Sequence, residues 1–176
     1  TGSNAYLLSS ELATFLSGRF IEIHVTPLSF AEFFDGQKTS PLDVWRDYVR
    51  YGSMPKVREL VESGKPDDVA QYLDGLYSSV LVNDVITRTK MSDVGTVKKI
   101  AAYLFDNISN LTNVKRICDA LSSAGGKGSY QSTQTYVQQL CEAFLFYKCE
   151  RLDVRGLELL KVGAKYYASD PGLRYL

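Results

Sequence analysis

A single histidine, His24, limits the catalytic chemistry open to these 176 residues, because any Ser/His/Asp or Cys/His arrangement would have to be built around it. His24 alternates with Glu22 on what reads as the polar side of a strand, which fits a surface or interface histidine. Cysteine is equally sparse. Cys118, Cys141 and Cys149 have no metal-ligand spacing and leave an odd count if any two pair, so the expectation is reduced, mostly buried thiols in a cytoplasmic protein. No apolar run approaches the roughly 18 residues of a spanning helix, so no membrane partner is expected. Nor is there a repeat or a low-complexity tract. Twenty basic and twenty acidic side chains leave no net charge, which removes a strong electrostatic argument for any one class of partner.

The zero total conceals an asymmetry. Residues 1–96 carry 9 basic and 13 acidic side chains, whereas residues 97–176 carry 11 and 7, a balance of +4 that permits nucleic-acid contact without demanding it. A hydrophobic content of 45% is enough to pack a core in one ordinary domain or two small ones.

Thr1-Gly2-Ser3-Asn4-Ala5 reads as a turn from the middle of a longer protein. Leu8, Leu12 and Phe15 then fall near one face of a short helix closed by Gly18. Ile21, Ile23 and Val25 alternate with Glu22 and His24, the period of a strand with one covered face. Pro27 closes that strand, and Ser29 is placed to cap a short helix through Phe34.

The next stretch is helical throughout. Pro41 suits a first helical turn, Leu42, Trp45, Tyr48 and Val49 recur at helical spacing, and Gly52-Ser53-Met54-Pro55 stops the pattern. A helix from Lys56 to about Glu62 follows. The longest helix is expected from Asp67 to about Arg88, with Val69, Leu73, Leu76, Tyr77, Val80 and Leu81 on its apolar side.

Three further apolar stripes follow: Val97, Ile100, Ala101, Leu104, Phe105 and Ile108; then Val114, Ile117, Cys118 and Leu121 behind a Thr112-Asn113 cap; then Tyr136, Val137, Leu140 and Phe144. Leu145–Arg151 and Leu157–Ala168 read as two strands joined through Gly156. Three short helices and a hairpin are the order of a winged helix-turn-helix. The expected architecture is thus mainly α with a small β component (α+β): a core remnant over residues 1–35, a helical, lid-like region over 36–95, and a winged-helix domain over 96–176.

Gly125-Gly126-Lys127-Gly128-Ser129 resembles a phosphate loop in composition but not in order, since a helix precedes it and the Gly-Lys-Ser/Thr ending is missing. A loop between two helices is the expectation. In the helix that follows, Gln131, Thr135, Gln138 and Glu142 lie opposite the apolar stripe. Glutamines can bond adenine, yet that face has no Arg or Lys, and Glu142 repels phosphate. Positive charge sits instead at Lys127, Arg151, Arg155, Lys148, Lys161 and Lys165, which suits a salt-sensitive grip on a duplex backbone. Docking to a protein partner is the other use of such a module.

The run TGSNAYLLSSELATFLSGRF, followed by FIEIHV and PLSFAEFF, resembles the end of the ATPase core in predicted AAA-superfamily ATPases of bacteria and archaea. The similarity continues through YGSMPKV, YLDGLYSSVLVNDVITR and KYYASDPGLR. In that family the core is followed by a helical region and a domain of unknown function that starts with a winged helix and often ends in a restriction-endonuclease-like fold. The resemblance implies that Asn4 is a sensor residue beside the γ-phosphate and that Arg19 is an arginine finger or sensor. It also implies ATP and Mg²⁺ as cofactors of a parent protein, with a missing N-terminal ATPase core as the first partner. No Walker A or Walker B segment lies within these residues, so the chain alone is expected to hold neither cofactor nor ATPase activity. Without its sheet, the strand at Ile21–Val25 would be an exposed edge and a route to a homo-oligomer.

Overall fold

The computed structural model describes residues 21, 23–86, 93–126, 128–150 and 163–175. Among them the architecture is mostly helical with one two-stranded sheet. Contacts within the chain divide it into two units: the described part of Leu16–Ser79 together with Ser169–Leu176, and Val80–Ala168.

In the first unit, α1 (Phe30–Phe34) forms where Ser29 accepts from the Glu32 amide and the Glu32 carboxylate returns to the Ser29 amide at 2.8 Å. This capping box satisfies amides that have no partner inside the helix. The next helix, α2 (Pro41–Tyr51), starts with Pro41 in its first turn, and α3 (Pro55–Glu62) starts in the same way with Pro55. Phe33, Val44 and Val57 supply buried core from these three helices, and Val69 and Leu73 add to it from α4 (Asp67–Val80).

A short 3-10 helix at Pro171–Tyr175 packs on α2. The junction is tight because Gly52 and Gly172 have no side chains. A Cβ on Gly52 would lie 2.1 Å from Asp170 Oδ1, and one on Gly172 would lie 2.2 Å from the Tyr51 carbonyl oxygen.

Three expectations for this region need correction or qualification. The described residues of Ile21–Val25 form no strand, and Ile21, Ile23 and Val25 are 90%, 81% and 90% exposed. Their alternation is real, but the sheet among the described residues is made of β1 and β2 alone and does not include them. Secondly, the helical repeat of Leu42, Trp45, Tyr48 and Val49 marks a helix but not a fully buried face. Leu42, Trp45 and Val49 are exposed, while Val44 is the buried residue of α2. The aromatic part of that face is only lined from the side, with Phe30 edge-on to Trp45 at 5.0 Å and Trp45 stacked on Tyr48 at 5.7 Å. Thirdly, the helix expected to run to Arg88 is α-helical only to Val80 and continues as a π-helix over Leu81–Ile86; residues 87–92 lie outside the described set. Leu81 and Val85 on the π segment are fully buried in the second unit, where that segment packs on two helices. Tertiary burial thus overrides the local pattern.

The second unit follows its apolar stripes closely. Helix α5 (Val94–Asp106) buries Val97, Ile100, Ala101, Leu104 and Phe105; α6 (Val114–Ser123) buries Ile117 and Leu121; α7 (Tyr130–Glu142) buries Tyr136, Val137 and Leu140. Each has a side-chain N-cap: Asp93 accepts from Thr96 N, Asn113 from Arg116 N, and Ser129 from Ser132 N. Strands β1 (Phe146–Cys149) and β2 (Lys165–Ala168) pair antiparallel, with Phe146 opposite Ala168 and Cys149 opposite Lys165. Thr112, just before α6, adds an isolated antiparallel bridge to Ala164. Of the expected strands, Leu145 and Glu150 fall just outside β1 and Gly163 just outside β2, while residues 151–162, with the turn at Gly156, lie outside the described residues.

Hydrogen bonds from the Thr96 hydroxyl and amide hold the Asp93 carboxyl below its ordinary value of 3.8. A lowered folded pKa means that the unfolded chain takes up the proton first. The stabilisation is therefore complete above the unfolded carboxyl pKa and is lost as pH falls through the folded one. In urea titrations between about pH 6 and pH 2, Asp93→Asn should lose part of the acid-dependent fall in stability seen in the wild type. Parallel curves for the two proteins would rule out this role.

Candidate interaction surface

Helix α7 owes its position to the apolar residues on its inner side and to the Ser129 cap. On its outer side, Gln131 and Gln138 are exposed and Thr135 is half-buried, so the structure brings these three expected residues onto one helix. Their polar atoms are partly engaged. Thr135 Oγ1 donates to the Gln131 carbonyl at 3.0 Å, and Gln138 Nε2 donates to Glu142 Oε1 at 2.7 Å. Gln139 donates to the other oxygen of Glu142 at 2.8 Å. A carboxylate held by two amides leaves α7 as a neutral-to-acidic face with no cationic side chain. Tyr130 adds an exposed aromatic ring at its start.

Cations lie elsewhere in the unit. Lys165 is exposed at the start of β2, opposite Cys149. Lys148 on β1 is occupied by Glu150 at 2.5 Å, and its hydrogen bond holds the Glu150 carboxyl below the usual range. Arg116 Nη1 donates to the Leu111 carbonyl at 2.8 Å. Asn4, Arg19, Lys127, Arg151, Arg155 and Lys161 lie outside the described residues, so the sensor, arginine-finger and wing-tip positions have no structural placement here.

Nucleophilic and metal chemistry find no support in this unit. Burial pushes the Cys141 thiol up to about 11 and the nearby Tyr166 hydroxyl up to about 12. A thiol in that state is a packing group, since the thiolate is the reactive form. Against the expectation of mostly buried thiols, Cys149 is exposed at the end of a strand in which Phe146 is the buried residue, and Cys118 and Cys141 are half-buried. Among the described residues no group of three His, Cys, Asp or Glu side chains gathers to hold a metal ion, and no helix is long and apolar enough to cross a membrane.

A site that sequence reasoning missed lies in the first unit. Asp170 is 0% exposed, and its carboxylate accepts from Ser53 N at 2.6 Å, Ser53 Oγ at 2.9 Å and Gly172 N at 2.8 Å. Residues 117 positions apart in sequence are thereby tied together. The available signals were Gly-Ser after a helix and Asp-Pro-Gly near the end, each of which reads locally as a turn.

The family profile described as "Domain of unknown function (DUF8612)" matches residues 42–176. The chain belongs to the DUF8612 family. A profile described as an AAA domain matches residues 1–34, which gives a limited link to AAA-type ATPases. An uncharacterised protein of Haemophilus influenzae is 39% identical over 179 residues, covering 99% of this chain and 44% of that protein. An uncharacterised protein of Methanocaldococcus jannaschii is 25% identical over 160 residues, covering 84% of this chain and 35% of its own length. This DUF8612 chain therefore spans less than half the length of the curated relatives it matches. No solved structure matches it. The DUF8612 match begins at Leu42, inside the first turn of α2, and takes in both the Asp170 junction and α7.

Proposed function

We infer that this chain is the binding part of an AAA-type ATPase whose nucleotide-binding machinery lies in the portion of its longer relatives that this chain does not span. In this reading the second unit is a winged helix that docks a partner through α7. One observation carries it: the order α5, Thr112 bridge, α6, α7, β1, β2, with Thr112 joined to Ala164 beside the hairpin. A winged helix has this layout, in which a short extended segment between the first two helices pairs with the strands that follow the third.

A protein partner fits α7 better than DNA bases do. Base reading needs free amide or cationic donors on the groove-facing side, whereas Gln138 is turned to Glu142 and no Arg or Lys is present. The basic balance of residues 97–176 favours a second reading, a backbone grip on duplex DNA through Lys127, Arg151, Arg155 and Lys165. Fluorescence anisotropy with a labelled duplex decides between them. Absence of binding at about 20 mM salt is the expected result for a protein-docking module. Tight, steeply salt-dependent binding that falls when Arg151 and Arg155 are changed to Ala would replace it with the DNA reading.

In the parent, Asn4 and Arg19 would act as the sensor and arginine finger, with ATP and Mg²⁺ bound upstream. Mg²⁺-dependent ATP binding by the present chain alone would overturn that assignment.

A further inference from the structure

The first unit contains a cavity of about 600 Å³ bounded by α2, α4 and the 3-10 helix. This is within the size range of small-molecule sites. Its apolar lining comes from Val69 and Leu73, both buried, with Pro66, Ala70 and Tyr51 beside them. The wall at Gly172 belongs to the segment that Asp170 ties to Ser53.

Two charges of opposite sign stand among the lining residues. Arg50 lies over the Tyr51 ring at 5.0 Å, and Asp67 opens α4. Among the described residues neither forms an ion pair. Elsewhere in this unit Arg46, Lys56 and Arg58 are each paired with a carboxylate of their own helix. An apolar lining with an unpaired guanidinium and an unpaired carboxylate has a specific complement: an apolar body bearing both a carboxylate and an ammonium group. Stacking on Tyr51 leaves the edge N–H groups of Arg50 available to a carboxylate, where a bidentate pair adds geometric selectivity.

We propose that this cavity is a binding site for a small apolar ampholyte, namely a short peptide with free termini or an apolar amino acid, with Arg50 taking its carboxylate and Asp67 its ammonium group. The site belongs to neither α7 nor the nucleotide machinery, so it stands or falls apart from the winged-helix reading.

The test uses the full chain and the dipeptide phenylalanyl-leucine in isothermal titration, beside its N-acetylated and C-amidated forms. The free dipeptide should bind saturably at about 1 mM or below, and each capped form about tenfold more weakly. Arg50→Gln should erase the difference between acid and amide, and Asp67→Asn the difference between free and acetylated amine. Both changes are at exposed positions, which keeps the fold out of the comparison. Ala70→Trp, at an exposed lining position, should block binding while circular dichroism remains that of the wild type. Equal binding of all three dipeptides, or no saturable binding of the free form at about 10 mM, would overturn the proposal.

Discussion

Replacing Asp170 with Ala should cost about 4 kcal/mol of folding stability, measured as a shift in the urea midpoint. The magnitude follows from the number of groups left behind. Ser53 N, Ser53 Oγ and Gly172 N all donate to this one carboxylate, and the site has no access to water that could replace it. A buried donor without a partner costs roughly 1–3 kcal/mol, and hydrogen bonds to an ionised acceptor are the stronger kind. Asp170→Asn should cost about half as much, because the carbonyl oxygen keeps an acceptor in place while the amide N–H₂ opposes a donor. If the Ala variant unfolded at the wild-type midpoint, Asp170 would be a bystander.

Gly52→Ala should be comparably damaging, at about 4 kcal/mol, for a different reason. Gly52 has φ 92° and ψ −173°, a region that essentially only glycine occupies, so any side chain costs about 1–3 kcal/mol in the backbone alone. The remainder is steric: the new methyl would sit 2.1 Å from Asp170 Oδ1 and 2.9 Å from its Cγ. These two contributions can be separated. In an Asp170→Ala background the contact with the carboxylate disappears while the approach to Gly172 Cα at 3.0 Å remains, and Gly52→Ala should cost about 2 kcal/mol less than in the wild type. Additive effects of the two substitutions would mean that the carboxylate is not what excludes a side chain at position 52.

The two substitutions probe a feature of the DUF8612 chain that differs in kind from α7. The Asp170 junction fixes the 3-10 helix on α2 and with it one wall of the cavity, so its loss should also weaken ligand binding there. Helix α7 presents polar side chains on an otherwise independent scaffold, and changes to Gln131 or Gln138 should leave stability nearly unchanged.

Legibility in the sequence tracked the range of the interaction. The Ser29 cap, Pro41 at a helix start and the Asn113 cap were readable because each joins residues no more than three or four apart, whereas the return bond from Glu32 appears only in the structure. The stripes of α5, α6 and α7 were readable because a repeat near 3.6 marks a buried face when a neighbouring helix covers it. The same repeat does not mark a buried face in α2, where Leu42, Trp45 and Val49 keep the spacing yet stay exposed, with only Phe30 and Tyr48 against Trp45. Ile21, Ile23 and Val25 show the equivalent case for a period of two.

The candidate sites divide in the same way. That Gln131, Thr135 and Gln138 share a face was legible by counting along a helix, whereas the Gln138–Glu142 and Gln139–Glu142 bonds that neutralise that face depend on side-chain geometry. The Asp170 junction could not be found by any local rule, since its Ser53 donors stand 117 residues away and only Gly172 N is near in sequence.

The sequence by itself determined most of the helical segments between 30 and 142, the Ser29 and Asn113 caps, and the two strands that pair antiparallel, because hydrogen bonding and side-chain periodicity within a few residues are enough to select them. Only the tertiary structure decided that Asp170 closes onto Ser53, that the helix after Val80 widens to bury Leu81 and Val85, and that a cavity opens beside Arg50. Those features arise where distant segments compete for the same buried space, and the outcome is set by packing and by the need to satisfy every buried polar group.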